Sequence, residues 1–343
     1  MPSRRVLLLL IVLIVVVVGV GNYPNIKEHI ENYAVIGKGP AAWNNRGIDY
    51  MTGKGVSQND SAAVQWFRKA AKQDDTMAQR NLGLVYAAGK GVPQNHSKAV
   101  QWFRKAAEKN DAVSQLNLGV MYKEGMGIQK NDSEAVKWIQ KAAEQGLPEA
   151  ERSLGIMYLG ARGVQQNDTE AIKWFRKAAE KEDPVAQYNL AIMYVTGRGV
   201  SQNDTEAVKW FRKAGEHGDL MAQRTLGVMY ATGNNVLQNQ FEAMKWLLLA
   251  AKQGDAVAQY NVGTGFLNGK GVAQNSTEAV KWFRLAANQG MPQAQFALAA
   301  IYHDGEAVPQ NDTEALKWLR KSAAQGYPQA QERLQSLETK SIP

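Results

Sequence analysis

The apolar positions of this chain recur on two scales. On the short scale, Ala78, Leu82 and Tyr86 stand four residues apart between Thr76 and Ala88 and mark one face of a helix. Gly89-Lys90-Gly91-Val92 ends that helix, since glycine readily adopts the left-handed backbone of a helix C-terminus. A second pattern runs from about Asp168 to Ala179, where Ala171, Trp174, Phe175, Ala178 and Ala179 form a broad apolar surface. Its start carries Asn167 with Glu170 three residues on. This is the spacing of a capping box, in which the asparagine accepts from the first turn and the glutamate reaches back to the cap N–H. Asn131 with Glu134, Asn203 with Glu206 and Asn311 with Glu314 repeat it. Together the two patterns predict a pair of helices joined by short polar turns.

On the long scale the pair returns every 36 residues. Trp66, Trp102, Trp138, Trp174, Trp210, Trp246, Trp282 and Trp318 all lie on that step, and only Trp43 is off it. Series of asparagine (Asn59 to Asn311), alanine (Ala63 to Ala315) and tyrosine (Tyr50 to Tyr302, with Phe266 filling one place) keep the same step. A fixed period in the thirties means a stacked array, not a closed globule. One helix pair cannot bury both sides of its apolar surface but its neighbours can, so stability is expected mainly between repeats. The predicted fold is an all-α solenoid of eight 36-residue helix-turn-helix repeats over residues 40–327. Residues 328–343 begin a ninth first helix, with Ala330, Gln331 and Leu334 on the lattice, and are expected to form a C-terminal capping helix and tail. In the first unit Arg46 takes the place of Leu82 and Leu118, and Trp43 that of a glutamine, as suits an end with one face in water.

Ahead of the repeats, residues 1–5 (MPSRR) are cationic, and Val6 to Val20 are fifteen residues, all apolar except for Gly19. A bilayer core needs about 20 helical residues, so the run is short for a span and suited to a secretory signal. Residues 1–21 are read as a signal peptide or a retained N-terminal membrane anchor, and residues 22–39 as a linker. Either way the remainder is expected outside the inner membrane: periplasmic, anchored through residues 6–20 and facing the periplasm, or secreted.

Segments such as AQYNLAIMYVTGRGVSQNDTEAVKWFRKAGEHGD, Ala186 to Asp219, resemble the Sel-one-like repeat family of the tetratricopeptide-like superfamily. The resemblance covers eight units. It implies a right-handed solenoid whose first helices line a concave face, used as a scaffold or adaptor for protein complexes. It also brings two other expectations: an envelope hydrolase or peptidoglycan-binding protein, as in the cysteine-rich, β-lactamase-like relatives, or an endoplasmic-reticulum adaptor. This chain has no cysteine, which separates it from the first of these.

Two slots of the first helices do not follow the packing lattice. One reads Asn45, Asn81, Asn117, Ser153, Asn189, Thr225, Asn261 and Ala297. Asparagine competes with the helix for backbone hydrogen bonds, so its recurrence needs a reason. It either bonds a neighbouring helix or loop, or forms a ladder that holds an extended peptide by its backbone. The adjacent slot varies through Asn44, Arg80, Leu116, Arg152, Tyr188, Arg224, Tyr260 and Phe296. Variation within a strict repeat implies that packing does not dictate the residue, and arginine and aromatics are frequent in binding hot spots. The candidate partner-binding residues are therefore Arg80, Asn81, Asn117, Arg152, Tyr188, Asn189, Arg224, Tyr260, Asn261 and Phe296, set against the alternative of an unselected solvent face.

Composition adds mostly exclusions. Without cysteine there is no disulfide framework, thiolate metal site or cysteine nucleophile, and His29, His96, His217 and His303 share no ligand spacing. No Gly-x-Ser-x-Gly, His-Glu-x-x-His, Walker or Ser-x-x-Lys motif occurs. No catalytic residue, metal or cofactor is expected, and the chain is read as a non-enzyme. The Gly-x-Gly turns follow helices instead of strands, which assigns them to helix closure and not to a phosphate cradle. The Asn-x-Ser/Thr triplets coincide with helix N-caps, which explains the series without glycans. The net charge of +8 is modest for 343 residues and points to no nucleic-acid partner. The lysines and arginines late in the second helices, such as Arg68 and Lys69, read as a solvated outer face, with an anion-binding strip as the alternative. The expected partner is a protein or peptide.

Overall fold

The computed structural model describes residues 39–305 and 308–340. The signal or anchor segment 1–21 and the linker up to residue 38 lie outside the described residues. Among the described residues there are helices and no strand. The first helices of the pairs are α1 (Pro40–Thr52), α3 (Thr76–Ala88), α5 (Ala112–Glu124), α7 (Pro148–Leu159), α9 (Pro184–Thr196), α11 (Leu220–Thr232), α13 (Ala256–Asn268) and α15 (Pro292–Asp304). Their partners are α2 (Asp60–Lys72), α4 (His96–Glu108), α6 (Asp132–Glu144), α8 (Asp168–Glu180), α10 (Asp204–Glu216), α12 (Gln240–Lys252), α14 (Ser276–Asn288) and α16 (Asp312–Ala324), and α17 (Pro328–Lys340) follows. The fold class is an all-α solenoid of eight repeats. The described residues divide into two compact units, one ending at Ala178 and the other starting at Ala179.

In the first unit, α1 through α7 contact one another in succession, and α3 also touches α1 and α5 directly. The first helices thus form one layer and the second helices another. The helices of one repeat pair more extensively than helices of successive repeats. The buried cluster nevertheless runs unbroken through repeats, from Ala63 and Phe67 past Leu82 and Phe103 to Leu118 and Met121. A second cluster continues from Leu116 through Ile139 to Met157. The second unit repeats the arrangement from α9 to α17, with clusters around Phe211 and Leu226, around Leu247 and Val262, and around Phe283 and Leu298.

Glycine sets how close the two layers lie. A Cβ on Gly83 would stand 2.5 Å from the Phe103 ring, and one on Gly119 would stand 2.5 Å from Ile139 Cγ1. Mid-helix glycine costs about 1 kcal/mol against alanine, so these positions are kept for the ring that covers them. In the second unit Gly227 receives Leu247 and Gly263 receives Phe283 in the same way.

The asparagine N-caps differ from the expected capping box. Asn131 Oδ1 accepts from the Glu134 N–H at 3.0 Å, as the spacing requires. The cap's own N–H, however, donates to the Tyr122 carbonyl at 2.9 Å, and Glu134 turns outward to accept from Lys137 Nζ at 2.6 Å. The same exchange occurs at Asn203, whose N–H bonds Tyr194 O at 3.0 Å while Glu206 takes Lys209. A carbonyl at the end of the preceding helix is already fixed by the turn, so it replaces the mobile glutamate. Asparagine thereby closes one helix pair with two bonds.

The second glycine of the later Gly-x-Gly turns at Gly91, Gly127 and Gly271 does more than close a helix. Gly91 has φ +69°, and a Cβ there would lie 2.3 Å from the Asp60 carbonyl oxygen of the preceding repeat. Gly55 has the same φ of +69° with nothing within 4 Å. The pair separates backbone strain from contact between repeats. Gly55→Ala should cost about 1 kcal/mol in urea denaturation, the penalty of the left-handed backbone alone. Gly91→Ala should cost about 3 kcal/mol, because the added carbon overlaps rigid backbone. Equal losses would show that the approach of successive repeats is not tight.

Candidate functional site

The polar groups of the first helices fall into three rows. The first begins at the N-caps. Asp111 Oδ1 accepts from Ser114 N at 2.7 Å, and Asp255 Oδ1 accepts from Ala258 N at 2.7 Å. Each aspartate has a second oxygen, and the preceding repeat supplies its partner: Arg80 Nη1 reaches Asp111 Oδ2 at 3.0 Å, and Arg224 Nη1 reaches Asp255 Oδ2 at 2.9 Å. Where the chain carries an aromatic in that slot, an apolar contact replaces the ion pair. Phe296 lies 5.6 Å from Tyr327, which stands in the aspartate's place. Tyr260 and Tyr188 pack on Phe283 and Phe211 at 5.6 and 5.5 Å between ring centres.

This corrects the premise that packing leaves the variable slot free. Arg80 and Arg224 are engaged with the next repeat's cap, and Tyr188, Tyr260 and Phe296 are engaged with rings. Arg80, Arg224 and Phe296 meet a residue 31 positions on, and Tyr188 and Tyr260 meet a ring 23 positions on, so variation at the slot does not by itself mark a ligand. Arg152 occupies the same slot, half-buried, and it also has an interaction partner.

The second row is the asparagine ladder, and its members behave in two ways. Asn81 Nδ2 donates to Asn44 Oδ1 of the preceding repeat at 2.8 Å. Asn117 and Asn189 donate back to the carbonyls of Val113 and Val185, at 2.8 and 2.7 Å, and Ser153 Oγ does so to Glu149 at 2.6 Å. Asn117 is buried, whereas Asn189 and Asn261 are half-buried. Four residues ahead of Asn189, Thr225 and Asn261 stand Val185, Met221 and Val257, which are 37, 39 and 40 % exposed. That spacing puts each apolar side chain on the same helix face as its polar neighbour. In the first unit Met77 and Ile156 are exposed on the same stripe of α3 and α7.

The third row was not recognised in the sequence as a row. Gln115, Gln223, Gln259 and Gln295 are buried on the 36-residue step. Gln223 Nε2 donates to the Gly215 carbonyl at 2.8 Å, and its Oε1 accepts from Gln253 Nε2 at 2.8 Å. Gln115 bonds Ala107 O and Gln145 in the same manner. Each glutamine therefore joins three helices and satisfies a carbonyl at a helix end. The signal was present as a period, but glutamine usually reads as surface.

Other expected features are also absorbed by the stack. Arg68, Arg104 and Arg212 donate to the hydroxyls of Tyr86, Tyr122 and Tyr230 in the next repeat at 2.7, 2.8 and 2.8 Å. They fasten one repeat to the next. Lys105, Lys141 and Lys213 lie over their tryptophan rings at 4.7, 4.4 and 4.4 Å. Arg46 is exposed over the Tyr50 ring at 5.1 Å, as a water-facing end requires. A cavity of about 300 Å³ lies among α15, α16 and α17, walled by Phe296, Leu316, Leu319 and Leu337. His303 and Asp312 pair at its rim at 3.0 Å, near Asp304 and Arg333. Among the described residues no cluster of histidine or carboxylate groups could hold a metal ion, and no helix is long and apolar enough to cross a membrane.

These features define a tetratricopeptide-like helical-repeat protein whose polar residues mostly hold repeat to repeat. The Sel1 repeat profile matches eight times, over residues 44–75, 76–111, 112–147, 148–183, 184–219, 220–255, 256–291 and 292–327. The chain belongs to the Sel1 repeat family. It is similar to c5321, a protective antigen of uropathogenic Escherichia coli strains displaying an SLR fold. That match has a TM-score of 0.80 and 36 % identity, covering 92 % of this chain and 67 % of that one. It is also similar to a Sel1 repeat protein from Oxalobacter formigenes, with a TM-score of 0.69, 31 % identity and 94 % of each chain covered. No curated protein matches the chain. Sel1 repeat proteins are generally non-catalytic scaffolds for protein interactions.

Asp219 is the exception in the cap row. It caps α11 through Ala222 N at 2.7 Å, but Tyr188 occupies the slot from which arginine reaches Asp111 and Asp255. Burial raises its carboxyl above the ordinary range and Asp183 adds to the rise, against the N–H groups of Ala222 and Met221. A raised carboxylate pKa stabilises the fold fully in acid, and that stability is lost as pH rises through the folded value. Asp219→Asn keeps a capping oxygen without the charge. The variant should be the more stable protein at pH 7, and its advantage should disappear towards pH 3, by thermal unfolding across that range. Parallel pH profiles for the two proteins would contradict the assignment.

Proposed function

We propose that this chain is a non-enzymatic interaction scaffold of a bacterial cell envelope that holds a polypeptide partner along its row of first helices. The observation that carries this reading is the exposed stripe on α9, α11 and α13. Val185, Met221 and Val257 stand in one slot of three successive repeats, outside the contacts that hold the repeats together. A repeat protein that used this slot only for solubility would place polar residues there. An apolar side chain beside Asn189, Thr225 and Asn261 in these three repeats offers a partner alternating apolar and hydrogen-bonding contacts. Asn189 Nδ2 is committed to Val185 O. The aromatics and arginines of the neighbouring slot keep the row in register.

Export rests on the N-terminal segment: Arg4 and Arg5 ahead of the apolar residues 6–20 suit a signal or an anchor held with its arginines inside. The chain then works outside the inner membrane, either released to the periplasm or tethered there. Similarity to an antigen of E. coli agrees with exposure beyond the cytoplasm.

A chain carrying Val185→Glu, Met221→Glu and Val257→Glu together should fold normally, since all three side chains are already in contact with water. Crosslinking in the producing cells, followed by mass spectrometry, should show the main crosslinked partner reduced at least tenfold. Undiminished recovery would remove the first-helix row as the binding surface. N-terminal sequencing of the mature protein distinguishes a cleaved signal from a retained anchor.

A further inference from the structure

The second helices have an outward stripe of their own, at positions four residues apart. It is hydrophilic in most repeats, as in Ser61–Gln65–Lys69 of α2 and Thr205–Lys209–Lys213 of α10, all exposed. In α12 the same three slots read Phe241–Lys245–Leu249, and in α14 the last of them is Leu285. Phe241 is 71 % exposed, Leu249 38 % and Leu285 47 %, and Leu237 just ahead of α12 is 91 % exposed. Both helices pack on α13, so the patch spans two adjacent repeats of the second unit.

Covering a tryptophan does not explain the leucine at position 249. In other repeats the lysine of the third slot covers a half-buried tryptophan, as Lys213 covers Trp210 at 4.4 Å. Trp246 is instead buried, because Gly215 leaves room for a ring that an added Cβ would meet at 2.9 Å. Lys245 and Arg212 lie over its ring instead, at 5.4 and 5.9 Å, and Leu249 is left to water.

The charge of the face selects its occupant. The chain carries a formal +8, so two copies repel over most approaches. Here two successive lysines of the stripe are lost to leucine, and the lysines that remain are neutralised locally. Lys245 pairs with Glu242 at 3.6 Å, and Lys281 pairs with Glu278. A neutral apolar stripe on a cationic protein fits another copy of itself better than an anionic surface, which would favour the lysines the stripe has lost.

We propose that Phe241, Leu249 and Leu285 form a self-association surface, on which a second copy of this chain docks the same residues about a twofold axis. An isologous contact of this kind closes on itself and ends at a dimer. Two 13-residue helices, each about 20 Å long, offer a face at the small end of specific interfaces. The dimer is accordingly weak, with a dissociation constant of about 1–100 µM. It uses the second-helix layer and is independent of the first-helix surface proposed above.

The test is sedimentation velocity of the full-length chain in mild detergent at increasing concentration. The triple variant Phe241→Thr, Leu249→Lys and Leu285→Lys serves as comparison. These substitutions restore residues that other repeats carry in the same slots, so folding is preserved. The unsubstituted chain should pass from monomer to dimer, and the variant should need at least tenfold more protein to do so. Because the chain has no cysteine, Phe241→Cys gives an independent readout: it should form a disulfide-linked dimer on mild oxidation, and Thr205→Cys should not. Unchanged association of the triple variant, or a monomer throughout, overturns the proposal. So does a monomer that binds anionic phosphatidylglycerol vesicles through Phe241, which would reassign the face to a membrane.

Discussion

A 13-residue helix is too short to persist alone in water, so everything here depends on the seat that each first helix offers the second. That seat is a glycine backbone in most repeats, as where the Phe103 ring lies on Gly83, and an alanine in α9 and α15. It brings two backbones close enough for small alanines such as Ala99 and Ala106 to be excluded completely from water. The same geometry must suit the next pair, because every repeat is both guest and host. Substitutions at the seat are therefore matched: where Leu247 replaces phenylalanine in α12, Gly227 still receives it.

Once the seat fixes the spacing, polar groups can be set against one another across repeats. Asparagine caps close the pairs, glutamines bridge three helix ends, and arginine–aspartate or ring–ring contacts join cap to variable slot. Gln115, Gln223, Gln259 and Gln295 are buried with both ends of the amide satisfied, and an unpaired amide in the same place would cost about 1–3 kcal/mol. The outcome is a stack in which most of the distinctive side chains face each other. Those that do not are chiefly the apolar residues exposed on the first-helix layer and on α12 and α14.

The helix pair, its period and the cap positions were legible because each depends on residues near in sequence. The start of α3 at Thr76 and its end at Ala88 follow from local apolar spacing and a glycine stop. The candidate site was legible only as a column of residues. Arg80 and Arg224 look like hot-spot residues until their aspartates, 31 positions away, are seen opposite them. The expected reach of Glu134 back to its cap failed for a similar reason: a tyrosine carbonyl from the preceding helix is nearer and better fixed. The glutamine row shows the reverse error, a visible period without a visible role.

What the sequence by itself determined is the unit: two helices, their caps, their stops and the number of copies. These follow from hydrogen bonds and turns spanning a few residues, and from a period that needs no three-dimensional information. Only the tertiary structure decided which side chains are consumed in joining one copy to the next. A contact between residues about 30 apart depends on how closely two repeats approach, and that distance is set by glycine seats and aromatic volumes acting together.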